Sequence, residues 1–248
     1  MNILGIDIGG SGIKGAIVDT EVGELVTERI RIPTPESFAP DEVIATVKEL
    51  YEQFDYEGPV GVGFPAVVLD GVVMTPATAY QIQEWVGLPV AERISAAIGQ
   101  PAAVLNDADV AGLAELHFGA GRERKGVVML FTLGTGVGSV MFVNGRLVPN
   151  LELGHIYLAG QKNVAEAYMA ERIRDEKDLS WKKWGKRLNK YFNHIERIFS
   201  PNLIIIGGGV SKKHHKFLHR IKVRAKVVPA EMRNEAGIVG AALAALPE

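Results

Sequence analysis

At 248 residues, 47% hydrophobic and 23% charged, the chain has the make-up of a globular protein with room for one large core or two modest ones. A net charge of −2 supplies no global basic field for nucleic acid, and the absence of cysteine excludes disulfides, thiolate catalysis and cysteine-ligated metal sites. No apolar stretch approaches the roughly 20 residues of a membrane span, and Met1–Asp7 has neither a basic segment nor a small-residue cleavage site, so a cytoplasmic protein with no nucleic-acid or membrane partner is expected.

Ile3–Ile8 reads as a short buried strand. It runs into Gly10-Ser11-Gly12-Ile13-Lys14-Gly15, which fits the dinucleotide pattern G-x-G-x-x-G. That pattern needs a helix launched from the glycines, with its N-terminus facing the pyrophosphate. Here residues 16–32, AIVDTEVGELVTERIRI, alternate apolar and polar around Val22-Gly23, which predicts a hairpin. The glycines therefore link two strands, and the dinucleotide reading fails.

Ala39–Phe54 has Val43, Ile44, Val47, Leu50, Tyr51 and Phe54 at helical spacing, with Asp41 as N-cap. Pro59–Pro65 reads as a buried strand entering a turn, and Leu88–Gly99 as a helix ending at Gly99. Ala102–Asp107 is a further strand. A helix starts near Asp107 and carries Val110, Leu113, Ala114 and His117 on one face. Residues 125–148 read as strand, glycine turn, strand and an Asn144-Gly145 hairpin turn. Beyond them, Asn163–Asp178 reads as one helical segment. Ser180–Phe199 is a second, with Trp181, Trp184, Leu188, Phe192, Ile195 and Phe199 along one face. Leu203–Ser211 is a strand ending in three glycines before a helix, and AGIVGAALAAL closes the chain as a small-residue helix. DIGGSGIKGAIV and TLGTGVGSVMFV align with one gap about half a chain apart, which favours a duplicated unit with a ligand held between its halves over chance recurrence.

Three glycine turns end three buried strands: Gly9-Gly10-Ser11-Gly12, Gly134-Thr135-Gly136-Val137-Gly138 and Gly207-Gly208-Gly209. Glycine lets backbone N–H groups approach an anion closely, and Ser11, Thr135 and Ser211 add hydroxyl donors. Any one of these fits a plain tight turn; three together point to phosphate. Asp7 could hold a Mg²⁺ through water and Lys14 could neutralise phosphate, against the plainer readings of a strand-end carboxylate and a solvated lysine. Asn106 and Asp107 sit where a strand meets a helix, with Asp109 facing away. Asp107 there suits accepting the proton of a hydroxyl during phosphoryl transfer, and suits equally a helix N-cap. Glu152 and His155 in LELGH could bond a polyhydroxylated ligand or form a buried acid–imidazole pair that only orders a loop. Lys182, Lys183, Lys186, Arg187 and Lys190 read more simply as a solvated helix face than as a track for a long polyanion. Arg122, Arg124, Lys125, Lys212 and Lys213 are further cations that could favour a long donor and fit a plain surface equally well.

Together these residues resemble the ROK family of sugar kinases, within the actin-like/ribonuclease-H-like ATPase superfamily, and most closely its polyphosphate glucokinase branch. DIGGSGIKGA is similar to that family's first phosphate motif, LGTGVGS to its second and LIIIGGGVSKK to its nucleotide-side motif. NDAD, ELGH, LSWKKWGKRLNKY and VVPAEMRNEAGIVGAALAA extend the similarity over nearly the whole chain. The resemblance implies an α/β fold of two similar lobes with an interlobe cleft: 1–106, with the C-terminal helix 236–248 packing back on it, and 107–235. It implies phosphoryl transfer from polyphosphate, ATP or both to the 6-hydroxyl of glucose, with Mg²⁺ and a homodimeric state. Asp107 becomes the general base; Asn106, Asp107, Glu152, His155 and Glu166 become sugar contacts; Asp7, Lys14 and the three glycine turns hold phosphate. Two departures stand out. The family places an asparagine in the loop before a tryptophan, where TPATAYQIQEW offers Thr78 and extra residues before Trp85. After E-L-G-H the branch has an A-E-D-R-A-S-like stretch, of which NVAEAYMAER keeps Glu166. The alternatives are an ATP-dependent ROK kinase for mannose or an N-acetylated amino sugar, a non-catalytic sugar sensor, and a filament-forming actin-like ATPase.

Overall fold

The apolar run at the start of the chain forms β1 (Asn2–Gly9), which hairpins with β2 (Gly12–Asp19) in a register pairing Gly9 with Gly12 and Asp7 with Lys14. Gly10 and Ser11 are thus a two-residue turn between strands, and no helix starts from the glycines. The computed structural model describes residues 1–77 and 81–247. It divides into two units, Met1–Ala114 with Asn234–Glu248, and Glu115–Arg233.

In the first unit, β3 (Glu24–Leu25) and β4 (Ile30–Ile32) pair antiparallel with β2, the hairpin that Val22-Gly23 signals. The first helix, α1 (Pro40–Tyr51), is capped by Ala39 and not by Asp41. Pro40, with its φ already set for a helix, takes the first position, so Asp41 falls inside the first turn, where it ion-pairs with Arg93. Next come β5 (Val60–Phe64), the small pair β6 (Val68–Leu69) and β7 (Val72–Val73), and α2 (Val90–Ile98), which ends on left-handed Gly99. The strand β8 (Ala102–Asn106) then leads straight into α3 (Asp107–His117). The sheet order is β3-β2-β1-β5-β8, with β1, β5 and β8 parallel. Phe38, Phe64 and Trp85 are buried together in its core, and the Trp85 indole N–H donates to the Phe38 carbonyl at 2.8 Å. On α3, Val110 and Ala114 are buried as expected, but Leu113 is half-buried and His117 exposed. Buried Asp109 and Glu115 replace the simple apolar stripe, and the Glu115 carboxylate accepts the N–H groups of Ala120 and Met232.

The second unit repeats the plan. Strands β9 (Val127–Leu133), β10 (Val137–Val143) and β11 (Arg146–Leu151) form an antiparallel meander. Asn144 and Gly145 both have positive φ, 50° and 84°, as a type I′ hairpin turn demands. The segment expected as one helix over 163–178 is two, α4 (Glu166–Met169) and α5 (Glu171–Glu176). It breaks at extended Ala170, because the Arg172 N–H leaves the helix to donate to the Gly134 carbonyl at 3.1 Å. Ser180 caps α6 (Trp181–Phe199), whose buried face carries Trp184, Leu188, Tyr191, Phe192 and Ile195. Phe131 packs edge-on against Tyr191 and Phe192. After β12 (Leu203–Gly207) the expected α-helix is instead a kinked 3₁₀ stretch, Gly209–Lys216. Its run Lys212-Lys213-His214-His215-Lys216 would stack like charges four apart in an α-helix. With β13 (Lys226–Pro229) the order is β11-β10-β9-β12-β13, and β9, β12 and β13 are parallel. The two sheets therefore share one topology, two antiparallel strands beside three parallel ones.

The chain ends in α7 (Ala236–Ala244), which belongs to the first unit. A Cβ added to Gly5 would lie 2.0 Å from the Ile238 carbonyl oxygen, and one on Gly61 1.7 Å from that of Ala241. Backbone thus packs on backbone, which only glycine allows. Among the described residues no helix is long and apolar enough to cross a membrane.

Candidate active site

Parallel sheets of this kind present ligand sites at the carboxyl ends of their strands, and the sequence-predicted residues of the first unit gather there. Asp7 lies level with Gly63 of β5, which pairs with Leu105 of β8. The Asp7 and Asp107 strands are thus two sheet spacings apart, about 10 Å. Gly10 and Ser11 are exposed at the turn tip. Lys14 Nζ approaches Asp7 Oδ2 at 3.4 Å with both side chains partly solvent-accessible. Arg31, on β4, lies over the turn and donates to the Ser11 carbonyl; a Cβ on Gly12 would sit 2.4 Å from its Nε. The Thr34 hydroxyl donates to the Gly9 carbonyl at 2.6 Å.

At the β8–α3 junction, Asn106 does the capping. Its Oδ1 accepts the N–H groups of Ala108 at 2.9 Å and Asp109 at 3.3 Å, while its Nδ2 donates to the Ala66 carbonyl at 3.0 Å. Asn106 is buried, Asp107 is exposed and Asp109 is buried. The cap that Asp107 could have supplied is therefore made by its neighbour, and the Asp107 side chain faces solvent at the strand tip. Thr78, the position in question for a further sugar contact, lies outside the described residues.

In the second unit the two remaining glycine turns touch. Gly208 has φ +80, and a Cβ there would lie 2.3 Å from the Leu133 carbonyl oxygen. Gly134, Thr135 and Gly136 form the β9–β10 turn with Thr135 exposed, whereas Gly138 lies within β10, paired with Thr132. Gly207 ends β12; Gly208 and Gly209 are exposed. Ser211, expected to offer a hydroxyl, is buried, because the 3₁₀ turn folds it inward with its N–H on the Gly208 carbonyl. Glu166 braces the β9–β10 turn: its Oε2 accepts the Val137 N–H at 2.9 Å and fills the space that a Cβ on Gly136 would need. Arg172 clamps the same turn from outside, Nε donating to the Thr135 carbonyl at 3.2 Å. Glu152 and His155 stand 4.0 Å apart, Glu152 half-buried with its side chain 36% exposed and His155 exposed at 55%, so they are not a fully buried pair. Burial pushes the Glu152 carboxyl up from its ordinary value; His155 opposes the shift and the charge of Glu166 adds to it.

Among the described residues no three His, Asp or Glu side chains gather as a metal-ligand set. Asp7 is a single carboxylate beside the Gly9–Gly12 turn. That donor set fits a Mg²⁺ that keeps most of its waters and is held chiefly by phosphate, and does not fit a protein-only cage.

The profile of the ROK family matches residues 3–172. The chain belongs to the ROK family. A polyphosphate glucokinase of Mycobacterium tuberculosis is 43% identical over 98% of this chain and 91% of that protein. The crystal structure of an inorganic polyphosphate/ATP-glucomannokinase from Arthrobacter sp. strain KM superposes with TM-score 0.90 at 43% identity, covering 98% of this chain and 97% of that one. A ROK glucokinase from Streptomyces griseus in complex with glucose and AMPPNP, 22% identical, shares the fold with TM-score 0.83 over 99% of each chain.

Within this ROK chain, sequence reading missed three groups. Arg31 reads as one more polar position in an alternating strand, and only the β2–β4 register sets it opposite Lys14. Arg172 reads as part of one continuous helix over 163–178, which the fold breaks at Ala170. Glu171 lies beside the third turn, 4.0 Å from where a Gly209 Cβ would be; burial raises its carboxyl, with Lys213 pulling the other way. Each arginine donates to a carbonyl of its own unit's glycine turn, Arg31 from a strand and Arg172 from a helix, so the repeat in the sequence does not reveal them.

Proposed function

We propose that this chain transfers the terminal phosphoryl group of inorganic polyphosphate, and of ATP, to the 6-hydroxyl of glucose, giving glucose 6-phosphate. The observation that carries this reading is the β8–α3 junction: Asn106 satisfies the helix end and leaves Asp107 exposed, on the same sheet edge as the Asp7–Gly12 turn. The relatives, polyphosphate and polyphosphate/ATP kinases at 43% identity over nearly the full chain, support the choice of donor and acceptor.

A sugar hydroxyl is too weak an acid to ionise beforehand, so Asp107 orients it and takes its proton late, as the oxygen–phosphorus bond forms and the donor's terminal bridging bond breaks. Glycine-turn N–H groups with Lys14 and Arg31 hold the donor, and positioning with fixed dipoles lowers most of the barrier. Mg²⁺, held by Asp7 through water, would neutralise charge on the transferring phosphates. Glu152 and His155 offer an acceptor and a ring nitrogen to sugar hydroxyls. Asn106 offers its second Nδ2 proton, and Glu166 contributes by fixing the β9–β10 turn.

Incubation of the purified protein with a hexose panel and either long-chain polyphosphate or ATP tests the proposal. Glucose 6-phosphate is the expected product with both donors. No turnover of glucose with either donor, or faster turnover of an N-acetylated amino sugar, would overturn it.

A further inference from the structure

A cavity of about 310 Å³ opens along the C-terminal half of α6, lined by Leu158, Ala159, Asn189, Lys190, Asn193, His194, Arg197 and Lys222. It uses none of the residues assigned above to the donor turns or the sugar. Lys190, Asn193, His194 and Arg197 fall at i, i+3, i+4 and i+7, the spacing that sets side chains on one helix face. Its lining holds two lysines, an arginine and a histidine and no carboxylate. Among the described residues none of Lys190, Arg197 and Lys222 forms an ion pair.

The walls are fixed to one another. Asn189 Oδ1 accepts the Lys222 backbone N–H at 2.6 Å, and Asn193 Nδ2 donates to the Lys222 carbonyl at 3.1 Å, tying the Lys222 segment to α6. Lys190 Nζ donates to the Ala159 carbonyl at 2.6 Å, which holds the ammonium at the cavity rim. Like charges lining one cavity repel unless an anion lies between them. By contrast, the cavity of about 270 Å³ lined by Arg124, Lys125 and Lys226 already contains the carboxylate of Glu123.

We propose that the α6 cavity is a second, non-catalytic site for phosphoryl anions, which anchors a distal segment of a polyphosphate chain whose terminal unit reacts at the glycine turns. The proposal rests on polyphosphate being a donor. Anchoring a second segment of the same polyanion makes its engagement at the reacting end intramolecular, and so raises the effective donor concentration. A donor that cannot reach both places gains nothing, and ATP and tripolyphosphate serve as the short donors that test this.

The double variant Arg197→Gln/Lys222→Gln tests this, because among the described residues neither side chain has a hydrogen-bond or ion-pair partner and the Asn189 and Asn193 contacts use only the Lys222 backbone. The KM for long-chain polyphosphate is expected to rise about tenfold, with kcat and the KM values for ATP and tripolyphosphate unchanged. An unmoved long-chain KM, or an equal rise for all three donors, would overturn the site. Should the wild-type protein use ATP alone, the donor reading fails by itself, and calorimetric titration with long-chain polyphosphate then decides the site: binding by wild type that the variant loses supports it, and no binding, or equal binding by both, overturns it.

Discussion

The two carboxylates proposed for the site, Asp107 as base and Glu152 as sugar contact, stand in different environments. Asp107 is exposed at the start of α3, next to Asn106, which caps the helix. If it accepts the hydroxyl proton, Asp107→Ala should lower kcat by about 10²–10⁴-fold while calorimetry with glucose finds affinity changed only a few-fold; a kcat within tenfold of wild type would place the base elsewhere. Glu152 stands in a different position, since burial, with the nearby Glu166, raises its carboxyl against the pull of His155. The folded state then holds that proton more tightly than the unfolded chain does. Stability is therefore lost as pH rises from the unfolded value through the folded one, and the deficit persists above. Glu152→Gln removes it, so the variant should melt at a higher temperature than wild type near pH 7. That gain should shrink as the pH falls towards 4.5, while the KM for glucose rises at every pH. A destabilising charge kept at a half-buried position is what a binding role would cost the fold. Thermal melts of both proteins across this range, with no gain at neutral pH, would contradict the account.

Among the elements, the β9–β10 turn and the Gly207–Gly209 turn form one backbone assembly. Gly208 has φ +80, and a Cβ there would meet the Leu133 carbonyl oxygen at 2.3 Å. Gly208→Ala should therefore cost about 1–3 kcal/mol, seen in chemical denaturation, and raise the KM for ATP more than that for glucose. Equal stability would mean that the turns do not need their close approach. Strands and turns of this kind were legible in the sequence because their signals are local. Alternation around Val22-Gly23, the positive-φ pair Asn144-Gly145 and the final Gly99 of α2 each answer to a few neighbouring residues. What stayed hidden was decided by partners distant in sequence. The helical pattern over 163–178 is broken where the Arg172 N–H turns to Gly134. The place of Glu166 after E-L-G-H gives no sign that its Oε2 also accepts an N–H from Val137, 29 residues away. The sequence offers Asp107 as the helix cap, whereas Asn106 Oδ1 accepts the N–H groups of Ala108 and Asp109.

At the scale of the whole chain, one sheet topology occurs twice, but the two copies close differently. The second unit is continuous from Glu115 to Arg233, while the first, Met1–Ala114, takes Asn234–Glu248 from the far end of the sequence. Its helix α7 buries Ile238, Val239 and Leu243 among small residues. Full burial of side chains of that size contributes about 1.5–3 kcal/mol each, so their sum approaches the whole stability of a typical domain, roughly 5–15 kcal/mol. No other element can substitute, because Gly5 and Gly61 carry no side chains to fill the space that α7 occupies, and its loss would leave their strands with an uncovered face. Deletion of residues 236–248 is therefore expected to unfold the first unit selectively. Hydrogen exchange on the truncated protein should show amide protection lost throughout 1–114, including the glycine turn and Asp107, and retained in β9, β10 and β12. Protection that survives equally in both units would mean that α7 is a dispensable appendage, and uniform loss would mean that the second unit cannot stand without the first.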